Sequence, residues 1–96
     1  MSENNSSGVR SIERALKILD CYTNGKDSYS LIEISEMVSL SPSTALRILS
    51  TLADHNYLYR NKNNLRYYLG FKLSQLSNTA LYGYKKNCEA LFRGYQ

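Results

Sequence analysis

Between Ser11 and Tyr22 the apolar residues Ile12, Ala15, Leu16, Leu19 and Tyr22 recur at the spacing of one helix face, and Ser11 ahead of them is a suitable N-cap. The pattern predicts a first helix with that stripe turned toward a core. Ile18 lies off the stripe and widens it, which offers it to a second surface such as a partner subunit. Residues 23 to 29, TNGKDSY, lose the period in a run of Asn-Gly and Asp-Ser and read as a loop.

Ser30 and Glu33 have capping-box spacing, in which a hydroxyl and a carboxylate each satisfy a free backbone N–H of the other's residue. Leu31, Ile34 and Val38 give this second, short helix its buried stripe, and it is expected to end near Ser39. A third helix follows closely. Ser41 stands at the N-cap and Pro42 at the first helical position, where the missing N–H costs nothing. Ala45, Ile48, Leu49 and Leu52 form its inward stripe, leaving Ser43, Thr44, Leu46, Arg47 and Ser50 outward, and Asn56 suits the position just past its end.

Residues 57 to 60, YLYR, and 66 to 69, RYYL, alternate and are rich in aromatics, and the NKNN between them tolerates the positive φ of a tight turn. This is a hairpin with a basic tip. Leu73, Leu76 and Ala80 then mark a short helix interrupted at Gly83, and Tyr84, Cys88, Leu91, Phe92 and Tyr95 mark a further stripe suited to dimerisation.

The organisation expected is a disordered arm at 1 to 8, a folded domain at 9 to 82 and a linker or dimerisation helix at 83 to 96. Within the domain, a helix-turn-helix spans 31 to 54 and a wing spans 57 to 70. The fold class is mostly α, a winged helix-turn-helix with a three-helix core plus β-hairpin wing, followed by a C-terminal linker helix.

Such a helix pair suits reading of the DNA major groove. Ser41, Ser43 and Thr44 are short donors near the free N–H groups of a helix N-terminus, which favour an anion such as phosphate. Arg47, one turn on, is long enough to offer a guanidinium fork to guanine, Leu46 can meet a thymine methyl, and Ser50 extends the same face. Ordinary capping explains the hydroxyls equally well, and pairing with Asp54 or Glu36 would make Arg47 a solvated charge. Arg60, Lys62 and Arg66 either keep a sheet edge soluble or press a wing against the backbone of a duplex.

Charge favours the DNA-contact reading in each case. The net charge is +4, but residues 1 to 40 hold four basic and six acidic residues while residues 41 to 96 hold eight basic and two acidic. A basic half gains by displacing counterions from a polyanion. Ninety-six residues suffice for one core and leave little room for a deep catalytic pocket. His55 is the only histidine and has no nucleophile beside it, and Cys21 and Cys88 have no metal-ligand spacing, so neither enzyme chemistry, a metal nor a cofactor is expected. No apolar run approaches a membrane span and the first residues lack a secretory pattern, which places the chain in the cytoplasm. Two rivals stay open: a winged helix whose basic face meets an acidic protein, and a single-stranded RNA binder using the tyrosine-rich hairpin.

VRSIERALKILD at 9 to 20, the run LIEISEMVSLSPSTALRILSTLADHNYLYR and YYLG at 67 to 70 resemble, in order, the N-terminal winged helix-turn-helix domain of IclR-type bacterial transcription regulators. The resemblance covers about residues 9 to 82. It implies a homodimer on a palindromic double-stranded operator, with Ser43, Thr44 and Arg47 matching the recognition-helix pattern. It also implies that a small-molecule effector would act through a C-terminal domain that this sequence does not contain, joined by a linker like residues 84 to 95. Two positions depart from the pattern: Pro42 replaces a polar residue, and Asn56 stands where glycine is usual before the wing.

Overall fold

The computed structural model describes residues 8–95, with side chains described as far as Tyr84. Helix α1 spans Arg10–Asp20, a 3₁₀ turn Cys21–Asn24, strand β1 Ser28–Tyr29, α2 Leu31–Met37, α3 Pro42–Asp54, β2 Leu58–Arg60, β3 Tyr67–Leu69 and α4 Phe71–Tyr95. The three strands form an antiparallel sheet in the order β1-β3-β2. Ser28 and Tyr29 face Tyr68 and Tyr67, while Leu58, Tyr59 and Arg60 face Leu69, Tyr68 and Tyr67.

The capping chemistry expected of α2 and α3 is present. Ser30 Oγ accepts from Glu33 N at 3.1 Å and Glu33 Oε1 accepts from Ser30 N at 2.9 Å, closing the box. Ser41 Oγ accepts from Thr44 N at 3.3 Å, with Pro42 opening the helix.

Both helices also end alike. Beyond α2, Ser39 N donates to Glu36 O at 3.3 Å and Leu40 N to Ser35 O at 2.9 Å; beyond α3, Asn56 N donates to Ala53 O at 3.0 Å and Tyr57 N to Leu52 O at 2.9 Å. These are paired Schellman closures, and they require a left-handed residue. Ser39 at φ 58° and Asn56 at φ 68° supply it. Asparagine therefore does at position 56 what glycine does elsewhere, and its carbonyl then accepts from Lys72 N at 2.9 Å, tying the end of α3 to the start of α4. Gly70 packs so tightly against this turn that a Cβ there would overlap the Asn56 carbonyl oxygen and lie 2.8 Å from Leu58 N.

The core gathers Ile18, Tyr22, Tyr29, Ile34, Leu49, Leu58 and Tyr67, with Leu19, Leu31, Val38, Ile48 and Leu52 packed around them. Four sequence expectations are corrected here. The N-cap of α1 is Val9, without a side-chain cap, rather than Ser11. Ile18 is fully buried and so cannot serve a partner subunit, whereas Ile12 and Leu16 are more than half exposed. Ile18 and Tyr22 lie in the core with Leu19 and Cys21 packed against it, an arc rotated by part of a turn from the stripe first read.

The segment read as loop contains β1, a strand of two residues and too short to show alternation. Finally, α4 runs without interruption through Gly83, where an added Cβ would meet nothing within 4 Å. The backbone accordingly shows no break between the folded domain and the expected linker.

Candidate nucleic-acid interface

Helix α3 presents two faces of opposite character. Ala45 and Leu49 are wholly buried, and Ile48 and Leu52 pack beside the core. On the other side Ser41, Ser43, Leu46, Arg47 and Ser50 are exposed and Thr44 is half-buried. The hydroxyls at the N-terminus are partly occupied with each other: Ser41 Oγ lies 3.0 Å from Thr44 Oγ1 and 3.3 Å from Ser43 Oγ. Such hydroxyls can turn outward without disturbing the backbone, since the cap itself uses only one lone pair of Ser41.

Arg47 is the exposed cation of this face, and among the described residues it forms no ion pair. Neither Asp54 nor Glu36 engages it. Its own carbonyl accepts from Thr51 Oγ1 at 3.0 Å, a bond that involves the backbone and not the guanidinium. Leu46 beside it is 42% exposed, a large apolar group facing water on the same surface.

Asparagine side chains tie the wing turn together alongside its backbone hydrogen bonds. Asn61 Oδ1 accepts from Asn63 N at 2.8 Å and from Asn64 N at 3.1 Å, Asn64 Oδ1 accepts from Arg66 N at 2.9 Å, and Asn64 Nδ2 donates to Tyr68 Oη at 3.0 Å. The positive φ expected within NKNN falls instead on Leu65, at 59°. Arg60 and Lys62 are exposed and, among the described residues, unpaired.

Arg66 differs from both. Its Nε donates to Ser28 Oγ at 2.8 Å, and its Nη2 donates to Ser28 O at 3.1 Å and to Glu33 Oε1 at 3.0 Å. The guanidinium is turned back onto β1 and α2, where its Nε and Nη2 are engaged, whereas the sequence groups Arg66 with Arg60 and Lys62 as wing residues for a duplex. Glu33 answers it with a carboxyl held below the ordinary range, first by the backbone N–H of Ser30 and then by Arg66 and Lys26.

The tyrosines divide as half-buried sheet residues do. Tyr22, Tyr29 and Tyr67 are buried; burial raises the Tyr22 hydroxyl well above its usual pKa, and it donates to Tyr67 O at 2.7 Å. Tyr59 is exposed and tilts against Tyr68 with centroids 6.4 Å apart.

Sequence spacing did not bring α1 to this face, yet Ile12, Arg14 and Leu16 line a groove opposite Thr44, Arg47 and Thr51 of α3. The signal in the sequence is the i, i+4 apolar pair Ile12 and Leu16, which the pattern there assigns to the core. Of the residues expected at a dimer contact, Tyr84 is exposed, and the side chains of Cys88, Leu91 and Phe92 lie outside the described residues. No helix among the described residues is long and apolar enough to cross a membrane.

Comparison with known proteins agrees with this geometry. The IclR helix-turn-helix domain family matches residues 11–62, more than half of the chain. The HTH-type transcriptional regulator XynR of Escherichia coli (strain K12) is 40% identical over 65 residues, which are 68% of this chain and 26% of XynR. The chain thus spans about a quarter of that relative's length. Among solved structures, a transcriptional regulator from Alicyclobacillus acidocaldarius superposes with a TM-score of 0.73 at 30% identity, over 76% of this chain and 30% of that one. An IclR family transcriptional regulator from Brucella abortus gives a TM-score of 0.72 at 25% identity, over 83% and 30%. With sequence match and fold in agreement, the chain belongs to the IclR helix-turn-helix domain family.

Proposed function

We propose that this domain binds duplex DNA sequence-specifically, as a homodimer on a palindromic operator. The observation that carries this reading is the outward face of α3, where Arg47 stands exposed and, among the described residues, without an ion pair, beside Ser43, Leu46 and Ser50. An unpaired guanidinium can offer both N–H groups of its fork to guanine O6 and N7, while serine and threonine hydroxyls reach phosphate oxygens or base edges. Arg60 and Lys62 at the wing add phosphate contacts of the kind that set affinity without reading sequence.

Dimerisation rests on apolar surface that one copy leaves exposed. Ile12 and Leu16 of α1 and Leu76, Leu81 and Tyr84 of α4 are each at least two-fifths exposed, and two copies related by a twofold axis would cover such faces reciprocally. A twofold protein then matches a twofold operator.

The single-stranded RNA alternative needs a stacking platform. Tyr67 is buried and Tyr68 half-buried, leaving Tyr59 as the hairpin ring that faces solvent most openly, and one ring makes a poor platform.

Selection of random duplexes by the purified chain at two salt concentrations tests the proposal. An enriched palindrome, with half-sites about one helical turn apart or at a similar fixed spacing, is the expected result. Retention without enrichment that collapses as salt rises would reduce the basic surface to generic phosphate binding.

A further inference from the structure

A charged cluster at the base of the wing lies apart from the exposed face of α3. Glu33 Oε1 accepts from Ser30 N and from Arg66 Nη2 at once, at 2.9 and 3.0 Å, while Oε2 faces Lys26 Nζ at 3.6 Å. Lys26 Nζ in turn stands 5.0 Å from the centroid of the Tyr29 ring. The other bonds of the Arg66 guanidinium go to the hydroxyl and carbonyl of Ser28. Its backbone meanwhile closes the wing turn, with N donating to Asn64 Oδ1 and O accepting from Asn61 N, each at 2.9 Å.

One residue therefore joins three elements: the turn that carries Lys62, the edge strand β1, and the first turn of α2. Strand β1 pairs with β3 through Ser28 and Tyr29 alone. So short a ladder holds a hairpin weakly by itself, since two-stranded pairing is marginal in water. The planar fork of arginine suits the gap, because it can serve a hydroxyl, a carbonyl and a carboxylate lying in different directions, which the point charge of lysine cannot.

We propose that Arg66 and Glu33 are positioning residues that hold the wing at a fixed angle to the α2–α3 pair, so that Lys62 and Arg47 meet the same duplex. The duplex itself rests on the reading above. The clasp acts on the free protein, before any nucleic acid is bound, and it makes Arg66 a contributor to binding that never touches DNA.

Two readouts on the whole chain test it. Amide exchange compares Asn61 and Leu65, whose N–H groups close the wing turn, with Leu49 in the core, for Arg66→Ala, Arg66→Lys and Glu33→Gln. All three variants are expected to speed exchange in the wing about tenfold and leave Leu49 unchanged. The Arg66 variants keep the Ser30–Glu33 capping box, so their agreement with Glu33→Gln separates wing release from fraying of α2.

The second readout is the salt dependence of affinity for the duplex that the wild-type chain enriches. Arg66→Ala is expected to lower the slope by about one unit per subunit of the dimer, as Lys62→Ala does, and the double variant no further, because a released wing already loses the Lys62 contact. A double variant that falls by about two units per subunit would make Arg66 a phosphate contact in its own right, and so would restoration of the slope by Arg66→Lys. Unchanged wing exchange would also overturn the proposal. If the wild-type chain enriches no duplex, the functional reading fails instead, and the exchange comparison still decides whether the clasp exists.

Discussion

Arg47 and Arg66 are both arginines of the basic half of the chain, and sequence alone assigns them the same kind of role. Their surroundings separate them. Arg47 projects from α3 with no ion pair among the described residues, whereas Arg66 is engaged by Ser28 and Glu33 through three hydrogen bonds. An arginine offered to a ligand keeps its donors uncommitted; one that shapes the protein spends them inside the chain. Charge counting sees a single sign and cannot tell the two apart.

Helix α1 repeats the lesson with apolar residues. Ile18 and Leu16 lie two residues apart, yet one is wholly buried and the other 54% exposed. The largest effect should separate them: Ile18→Ala is expected to cost about 2–4 kcal/mol in urea unfolding. Leu16→Ala should leave the isolated subunit within about 0.5 kcal/mol and weaken self-association instead. Equal costs for both would mean that α1 is turned differently against the core.

Next in size is the binding contrast. Arg47→Ala should lose about 1–3 kcal/mol on the enriched duplex with stability unchanged, measured by titration beside urea unfolding. A comparable loss of folding stability in this variant would show that Arg47 too is held within the protein.

The wing offers a smaller effect of opposite sign. Leu65 occupies the left-handed region at φ 59°, a conformation that a branched apolar side chain adopts at a cost. Replacing it by asparagine should raise stability by about 0.5–1 kcal/mol in the same unfolding experiment. A loss there would indicate that the exposed leucine makes a contact worth more than its backbone strain.

Acid should release the clasp last and least. The Glu33 pKa is lowered in the folded chain by the Ser30 N–H, Arg66 and Lys26, so its contribution to stability is complete above the ordinary carboxylate value. It fades as the pH falls through the lowered folded value. Glu33→Gln should remove that part of the acid dependence, and an unchanged pH profile of unfolding would contradict the assignment.

Local chemistry made much of this molecule legible. The Ser30–Glu33 box, the Ser41-Pro42 helix start and the left-handed Asn56 each act within four residues, and each stands where the sequence places it. The inward stripe of α3 was readable because its apolar period is uninterrupted. What escaped depends on tertiary partners. The rotation of α1 was ambiguous because two overlapping stripes fit one helix, and β1 is a strand only because Tyr67 and Tyr68 come to lie beside it. The bond of Arg66 to Glu33 crosses 33 residues, a distance at which no spacing rule operates. Gly83 looked like a break, yet a glycine inside a helix costs only about 1 kcal/mol, which the flanking turns of α4 absorb.

The most direct test of the account repeats the duplex selection with Arg47→Ala in place of the wild-type chain. If α3 reads bases through Arg47, the variant enriches a palindrome with the same half-site spacing whose preference has collapsed at one position in each half-site. If the variant enriches the wild-type sequence with every base preference intact, only more weakly, Arg47 is a phosphate contact and the reading face of this domain lies elsewhere.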